Sequence, residues 1–420
     1  MKLDINSERL AASLEALGRI GAYHDELSGL TGVRRLAFSK EDGEGRRHVV
    51  AEMKAAGLEV TVDRIGNVFG RRKGRDDGAK PVMAGSHIDS VATAGRFDGC
   101  LGVLGALECI KTLEDAKHVT RRPLVVAFFS EEEGARFGTD MLGSAVAVGR
   151  IPLEKAYALS DRDGKTVRAE LEAIGFLGTR DEHLAAPHAY LECHIEQGPM
   201  LRAANVDVGV VTGVQAICWH ELVITGRSAH AGTTPMSLRA DPGVVASRVQ
   251  LALRELVRSG RFGEHLRATM GVTNFHPGLV NVVPNRVVAT VDLRHPDDAV
   301  LQRAEAELVE TYARLAAEEK VSLVHRRTAR TPDVPFSPKV QDLVEQKARA
   351  RGLSTQRLVS GAGHDCQELA RLCTAGMVFV PGEYDGISHN PREFSTPKQC
   401  ADGVNVLLDV LTTLAEEEGP

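Results

Sequence analysis

The stretch that decides the fold is PLVVAFFSEEEG, residues 123–134, in which an apolar run ends in three consecutive glutamates. A short apolar run that ends at polar residues is typical of a buried parallel strand leading into a loop. In open α/β sheets, ligands bind at the carboxyl ends of such strands. Carboxylates crowded at that edge repel one another unless a positive charge offsets them. The sequence therefore predicts an α/β fold with a cation near residues 131–133.

Other candidate metal ligands occur in similar settings. His87 and Asp89 end the apolar run VMAGSHID, and His194 ends the run AYLECH. Asp98 lies between glycines in GRFDGCLG, and His389 lies in the loop DGISHNP. Histidines and carboxylates on loops after buried strands suit zinc, manganese or cobalt. Each histidine taken singly is more easily explained as structural, but the joint pattern predicts a metal site.

The composition limits the classes of protein to which the chain can belong. At 420 residues it is long enough for two domains, and 51 Lys and Arg against 57 Asp and Glu give a net charge of −6. This balance offers no basic surface for nucleic acid, and no apolar run is long enough to cross a membrane. Seven cysteines without a CxxC pair, and an N-terminus without signal-peptide character, favour reduced thiols and the cytoplasm.

The order of strand and helix patterns predicts one domain interrupted by another. Residues 1–211 and 329–420 alternate buried strands with helices, which is typical of an α/β domain with a mixed central sheet. Residues 212–328 follow the order strand–helix–strand–strand–helix–strand, which predicts an inserted α+β domain of ferredoxin-like type. Within that insert we expect a strand over 269–274.

Asp89 and Asp98 each have a structural as well as a functional interpretation. In an extended stretch Asp89 points the same way as His87, so its carboxylate can accept from the imidazole and orient it beside a metal. The same pair also occurs as a buried histidine satisfied by its neighbour. Asp98 precedes a helical pattern and is expected to cap it, which is compatible with a ligand role. Gly95 and Gly99 allow close approach of the backbone.

The three glutamates need different roles. Because adjacent side chains diverge, one of Glu132 and Glu133 can bind a metal while the other reaches a water and acts as general base. A solvated acidic turn is the alternative. Two metals bridged by one carboxylate would use all five candidate ligands. Glu131 is left without a role.

Eight motifs carry a resemblance to a known family. In order they are GSHIDSV, GRFDGCLG, SEEEGARF, HIEQGP, SAHAGTTPMSLRADP, NVVPNRV with DLRH, SGAGHD and GISHNP. From about Gly45 to the C-terminus the chain resembles the dinuclear-metal amidohydrolases that cleave N-carbamoyl groups, a branch of the superfamily of aminoacylases and metallo-exopeptidases. The resemblance implies a metallo-exopeptidase-like catalytic domain and an inserted domain for dimerisation, acting as a lid.

The resemblance also implies metal roles for individual residues. Two divalent ions per subunit are expected, with Asp98 bridging them and His87 and His194 on different ions. Glu133 then joins one ion and His389 the other. Glu132 is the general base, and Asp89, as the partner of His87, is counted with it among the catalytic residues.

The substrate residues come from both predicted domains. His230 lies among small residues, and Arg294 is a natural partner for a carboxylate, although a salt bridge to a neighbouring aspartate is equally expected. The resemblance implies that Arg294 and Asn281 hold the substrate carboxylate while His230 polarises the scissile carbonyl. It further implies that Gln197 contacts the ureido group. The backbone of Gly361, Ala362 and Gly363 can donate to a carboxylate, with His364 and Asp365 orienting that loop.

The resemblance predicts hydrolysis of a small ureido-carboxylate substrate by a homodimer. An N-carbamoyl-L-amino acid is the first candidate, giving the amino acid, ammonia and carbon dioxide. Allantoate is the alternative, because SGAGHD and GISHNP suit allantoate enzymes, whereas VTGVQAICWHELVITG is nearer the carbamoyl-amino-acid enzymes. An aminoacylase or exopeptidase is less consistent with HIEQG. A binding protein without catalysis is expected to lack Glu132 or a ligand, and this chain has both.

Overall fold

The computed structural model describes residues 3–419, which form two compact units. The first unit comprises the chain up to Gly213 and again from Pro335, and the second comprises Val214–Val334. The second break lies a few residues beyond the expected position 328, because the last strand of the second unit continues to Thr331. None of the helices among residues 3–419 combines the length and apolarity that a membrane crossing requires.

The first unit is built on a nine-stranded mixed sheet. Its strands, and those of a separate hairpin, are β1 Ala22–His24, β2 Thr31–Val33, β3 Glu59–Val62, β4 Val68–Arg72, β5 Val82–His87, β6 Leu124–Phe129, β7 Ala189–Ile195, β8 Val208–Val214, β16 Val334–Pro335, β17 Thr355–Ser360 and β18 Thr374–Val380. The order is β16-β8-β18-β7-β5-β6-β4-β3, with β17 also paired to β8. The central strands β18, β7, β5 and β6 are parallel, and the pairs β8–β18, β4–β6 and β3–β4 are antiparallel. The predicted mixed α/β sheet is confirmed.

Helices cover this sheet and supply its core. They are α1 Ser7–Gly18, α2 Lys40–Ala55, α3 Cys100–Asp115, α4 Leu142–Ala147, α5 Leu153–Tyr157, α6 Val167–Ile174, α7 Met200–Ala203, α10 Pro338–Ala350, α11 Asp365–Leu369 and α12 Pro397–Ala415. The strands β5, β6 and β7 are buried along their whole length, which explains their nearly continuous apolar sequences. Helix α3 packs closely on β5, since a Cβ at Gly102 would lie 2.7 Å from Cβ of Ser86.

The second unit is an antiparallel sheet with two helices. Its elements are β9 Ala216–Thr225, β10 Ala229–His230, α8 Pro242–Arg258, β11 Arg267–Thr269, β12 Thr273–His276, β13 Val282–Val283, β14 Arg286–His295, α9 Asp298–Glu319 and β15 Ser322–Thr331. The sheet order is β11-β14-β9-β15, with β12 beside β14. The single strand expected over 269–274 was wrong: Met270, Gly271 and Val272 interrupt it, and β11 and β12 pair separately with β14. Residues from β9, β14, α8 and α9 form the core.

Candidate metal centre

Five chain segments meet at the carboxyl end of the parallel strands. His87 is the last residue of β5, and His194 lies at the end of the neighbouring β7. The three glutamates follow β6, and Asp98 precedes α3. His389, from the loop before α12, completes the group. The structure thus brings together the five predicted ligands at the edge of the sheet where ligands bind.

Asp98 is the centre of this group. Its Oδ1 lies 3.7 Å from Nε2 of His87 and 3.2 Å from Nε2 of His194, while its Oδ2 lies 3.4 Å from Nε2 of His389. His389 Nε2 is also 3.2 Å from Oε2 of Glu133. The potential ligand atoms therefore form two triads that share Asp98, one with His87 and His194 and the other with Glu133 and His389.

This grouping differs from the expectation that His87 and His194 serve different ions, since both lie in one triad. The two residues end adjacent parallel strands, so their rings face the same point, with centroids 6.0 Å apart. Sequence separation gave no indication of this adjacency, because strand order in the sheet does not follow chain order. The structure pairs the histidines from the strands and leaves the glutamate with the loop histidine.

Backbone carbonyl groups orient both strand-end histidines. Nδ1 of His87 lies 3.0 Å from the backbone oxygen of Asp89, and Nδ1 of His194 lies 2.9 Å from that of Ile195. A carbonyl can only accept, so each Nδ1 carries a proton, and in the neutral ring Nε2, the nitrogen on the Asp98 side, is the atom left to bind a metal. This is the tautomer that a metal-binding histidine needs.

The Asp89 carboxylate has a different role from the expected one. It was predicted to accept from the imidazole of His87, but its Oδ1 is 3.9 Å from Nδ1 because the backbone oxygen occupies that position. Instead, Oδ1 and Oδ2 accept from the backbone N–H groups of Glu132 and Glu133, at 3.3 and 3.4 Å. Asp89 therefore holds the glutamate loop in place. Burial raises the pKa of Asp89 to about 6, and the nearby charge of His87 partly offsets this increase.

These residues fit a divalent metal centre. The donor set is imidazole nitrogen and carboxylate oxygen, which suits zinc, manganese or cobalt. Oε1 of Glu133 is buried without a hydrogen-bond partner, as expected for an atom that needs a cation. A Cβ at Gly99, where φ is 64°, would lie 2.4 Å from Nε2 of His87, so only glycine keeps this side of the imidazole open. Gly99 rather than Asp98 stands at the N-cap of α3, which leaves the Asp98 carboxylate for the histidines.

The surroundings of Asp98 favour its ionised form. Burial alone raises the pKa of this carboxyl, but hydrogen bonds with His194, His389 and His87 outweigh burial and hold the pKa well below its usual range. The same contacts with Asp98 and Glu133 raise the pKa of His389 to about 10. The Asp98 carboxylate therefore attracts positive charge.

Glu132 and Glu131 lie in contrasting environments. Oε2 of Glu132 is 3.4 Å from Nε2 of His87, and burial raises its pKa well above the usual range, opposed by His87 and reinforced by Asp365. Glu131, expected to have no role, is fully buried, and its Oε1 accepts from the backbone N–H groups of Arg136 and Phe137 at 3.1 and 2.7 Å. It holds the turn after β6, which corrects the expectation. Burial, and then the charge of Asp89, raise its pKa to about 8.

Gln197 contacts the centre rather than standing free for substrate. Its Nε2 donates to Oδ2 of Asp98 at 2.7 Å, and its Oε1 is buried without a partner.

Two further residues, which the sequence did not single out, also hold Asp98. Ser388 donates to the same oxygen at 2.9 Å, and Oε1 of Glu393 accepts from the Asp98 N–H at 3.2 Å. Both lie in the same loop as His389. Their closeness in sequence to this candidate ligand was the one feature that could have identified them.

The glycine loop 361–363 is braced from within. Ser360 Oγ donates to the backbone oxygen of Ala362 at 2.9 Å and accepts from its N–H at 3.1 Å. The Ala362 N–H is thus used inside the loop, contrary to the expectation that it serves a substrate. His364 Nε2 is 2.8 Å from Ser360 Oγ, and Asp365 accepts from Ser144 at 2.6 Å. His364 therefore contacts the loop through Ser360, as expected, whereas Asp365 is directed toward α4.

The second unit brings His230 and Asn281 together. Ala229 and His230 pair with β13, and the Ala231 N–H donates to the backbone oxygen of Asn281 at 3.1 Å. Nδ1 of His230 accepts from the N–H groups of Gly232 and Thr233, at 3.0 and 3.2 Å. These bonds leave the proton on Nε2 of an exposed imidazole, which is the form that donates to an oxyanion.

Arg294 lies elsewhere in the second unit. It stands near the end of β14, whereas His230 and Asn281 lie by the beginning of that strand, where Asn285 bonds to His276 and Gly226. Its guanidinium forms a fork with Asp292, with Nε at 3.1 and 3.0 Å from the two oxygens and a terminal nitrogen at 2.8 Å. The expected salt bridge between Arg294 and a neighbouring aspartate is therefore present. Within one second unit, Arg294 does not lie together with His230 and Asn281.

Comparison with known proteins gives a consistent result. The profile of Peptidase family M20/M25/M40 matches residues 83–413. The chain is 39% identical to an N-carbamoyl-L-amino-acid amidohydrolase of Rhizobium meliloti, covering 98% of this chain and 97% of that protein. It is 33% identical to an allantoate amidohydrolase of Bacillus subtilis, covering 96% of each. A solved amidase of the hydantoinase/carbamoylase family from Burkholderia vietnamiensis superposes with a TM-score of 0.91 at 42% identity, covering 99% and 98% of the two chains.

Proposed function

Because the chain belongs to Peptidase family M20/M25/M40, we propose that its two triads around Asp98 catalyse metal-dependent hydrolysis of the ureido C–N bond of an N-carbamoyl-L-amino acid. The products are the amino acid, ammonia and carbon dioxide. The observation that carries this proposal is the shared carboxylate: a single aspartate contacts histidines of both triads, beside a buried glutamate that neither triad uses. Similarity over nearly the whole chain to an N-carbamoyl-L-amino-acid amidohydrolase supports the choice of substrate.

The two triads would hold two divalent ions. His87 and His194 provide the ligands of one, Glu133 and His389 those of the other, and Asp98 serves both. When bound, such ions polarise a carbonyl oxygen and lower the pKa of water, which is the chemistry that amide hydrolysis requires. The remaining positions around each triad are left for water and substrate.

Glu132 is the general base in this proposal. It lies beside His87 but belongs to neither triad, so its carboxylate remains able to exchange a proton. It takes a proton from the attacking water and returns it to the leaving nitrogen. Asp89 positions it, because the Asp89 carboxylate accepts from the Glu132 N–H. General acid–base catalysis of this kind contributes roughly 10²–10⁴-fold to the rate.

The second unit provides recognition of the substrate. His230 donates from Nε2 to the carbonyl oxygen as it becomes an oxyanion. Arg294 and Asn281 bind the carboxylate, for which Arg294 must exchange part of its fork with Asp292. Gln197 can turn its unpartnered Oε1 toward the ureido N–H groups.

We further propose a homodimer formed through the second unit. From Arg286 to Arg294 the extended strand β14 spans roughly 26 Å at 3.3 Å per residue. A ureido amino acid cannot bridge that length, so His230 and Asn281 serve one site and Arg294 another, with two chains completing each site. Most large apolar side chains that are exposed among residues 3–419 belong to this unit, including Met236, Leu251, Phe275 and Val280, which supports an interface there.

Allantoate is the second candidate substrate, supported by the allantoate amidohydrolase relative. It shares the ureido group and the carboxylate, so the same residues can bind it. Ammonia release measured on a panel of N-carbamoyl-L-amino acids, their D-enantiomers and allantoate distinguishes the candidates. Faster turnover of allantoate than of every N-carbamoyl-L-amino acid would reverse the order of the two proposals. Turnover of acylated amino acids or dipeptides alone would refute both.

A further inference from the structure

One polar residue interrupts an apolar face in the second unit. On β9, Ala216, Cys218, Leu222 and Ile224 point into the core, and His220 stands among them with 1% of its surface exposed. Burying an imidazole on such a face costs free energy unless its nitrogens find partners. The partners of His220 therefore indicate what this position can bind.

Three donor atoms converge at His220. Its Nε2 lies 2.9 Å from Oε1 of Glu305 on α9 and 3.5 Å from Sγ of Cys218, which points to the same side of the strand two residues earlier. All three atoms lie within 4.8 Å of one another, and all three residues are buried. On the other side of the ring, Nδ1 is 3.4 Å from the hydroxyl of Tyr312.

We infer that Cys218, His220 and Glu305, called here the Cys218 cluster, form an additional transition-metal site of zinc type within the second unit. Thiolate, imidazole and carboxylate are the ligands that Zn²⁺ takes, and a sulfur ligand distinguishes this cluster from the oxygen- and nitrogen-only triads around Asp98. The fourth position is available to water or to His325, whose ring centroid is 5.4 Å from that of His220. A cleft of about 920 Å³ is lined in part by Glu305 and His325, and it therefore reaches the Glu305 side of the cluster.

The proton balance of binding is simple. Burial, and then the charge of Glu305, raise the pKa of the Cys218 thiol to about 12, so Sγ releases one proton to solvent when the metal binds. Burial also lowers the pKa of His220, so the ring is already neutral. Its remaining proton moves from Nε2 to Nδ1, where the Tyr312 oxygen accepts it and orients the ring.

Arg327 is the competitor of the metal. In the metal-free chain its Nε and a terminal nitrogen lie 2.8 and 2.7 Å from Oε1 of Glu305 and neutralise that carboxylate. Its side chain is 54% exposed and can withdraw into solvent when a cation replaces it. The neighbouring Arg326 pairs with Glu221 instead and is a matched control.

Cobalt binding to the full-length protein tests this inference without relying on activity. Co²⁺ is added beyond the amount that the Asp98 triads take up, and the near-ultraviolet thiolate-to-cobalt charge-transfer absorption is recorded. Only a site with a cysteine ligand produces this band, and the Asp98 triads contain no sulfur. We expect the band in the unmodified protein and in Cys373→Ser, and its loss in Cys218→Ser with an unchanged circular dichroism spectrum.

A second pair of variants separates metal binding from structural packing. Arg327→Ala should tighten cobalt binding at the thiolate band by about fivefold or more, because a competing positive charge next to Glu305 is removed. Arg326→Ala should leave it unchanged. The inference is overturned if the unmodified protein shows no band, if Cys100→Ser rather than Cys218→Ser removes it, or if Arg327→Ala does not tighten binding.

Discussion

Oδ1 of Asp98 lies 3.2 Å from Nε2 of His194, while the other oxygen of the same carboxylate faces the loop histidine. A single side chain thus links a ligand from the central sheet to a ligand from a distant loop. Removing a ligand that belongs to one triad should therefore weaken one ion more than the other. The predictions for His389→Ala and Gly99→Ala use this division.

Chelation should inactivate the protein, and Mn²⁺, Co²⁺ or Zn²⁺ should restore activity to differing degrees. Sites that combine imidazole and carboxylate do not select strongly among these ions.

His389→Ala should retain about one metal ion per chain at the Asp98 triads instead of two, because the His87 and His194 triad is intact. Metal analysis after dialysis measures this. Full activity of a chain shown to be metal-free would refute the mechanism.

Glu132→Gln should keep the metal content of the Asp98 triads but lose turnover by about 10² to 10⁴-fold or more, since the base and acid roles both vanish. Glu131→Gln is the matched control. Its Oε1 can still accept from the N–H groups of Arg136 and Phe137, so turnover should remain within about tenfold of normal. If the two variants behave in the opposite way, the base is Glu131.

Gly99→Ala should abolish metal binding at the His87 triad, because the new Cβ would lie 2.4 Å from Nε2 of His87. Gly164→Ala controls for backbone strain alone. Both glycines have positive φ, 64° and 78°, but a Cβ at Gly164 meets nothing within 4 Å. Each change costs about 1 kcal/mol of stability through strain. Thermal unfolding and metal analysis should separate the shared loss of stability from the loss of metal that is specific to Gly99.

Arg294→Lys should lower kcat/KM for N-carbamoyl amino acids by about 10- to 100-fold, because a point charge does not replace a bidentate fork. This corresponds to roughly 1.5–3 kcal/mol, the range for a charged hydrogen bond. A substrate with its carboxylate amidated should be poor for the normal enzyme and no poorer for the variant. Equal losses toward both substrates would show that Arg294 acts as the ion-pair partner of Asp292. Arg314→Lys, on the surface of α9, controls for the substitution itself.

Mixing two inactive variants tests whether the site spans two chains. If Asn281 serves the partner, dimers containing one Glu132→Gln chain and one Asn281→Ala chain have one intact site. A statistical mixture should then recover about a quarter of normal activity. If Asn281 serves its own chain, both sites of the mixed dimer are defective and nothing is recovered. Light scattering at micromolar concentration should first show a dimer, and a fully active monomer would contradict the proposal.

The sequence was informative about elements with strong local signals. Buried strands such as β6 read as unbroken apolar runs, and ligand candidates such as His87 and Glu133 lie directly after them. The general position of the centre followed from the rule that strand ends meet at one edge. Hydrogen bonds that depend on local backbone geometry were less predictable. The carbonyl of Asp89, rather than its carboxylate, orients His87, and this choice depends on how the chain turns after β5.

The sequence by itself determined the fold class, the split first unit and the identity of the ligand candidates, because burial and residue type are written along the chain. Tertiary structure alone decided which ligands share a triad, which carboxylates are buried and where the second-unit residues lie. His87 and His194 meet because β5 and β7 are neighbours in the sheet, and Glu131 is buried because the following turn closes over it. Such relationships depend on strand order and on contacts between residues far apart in sequence, and no local pattern encodes them.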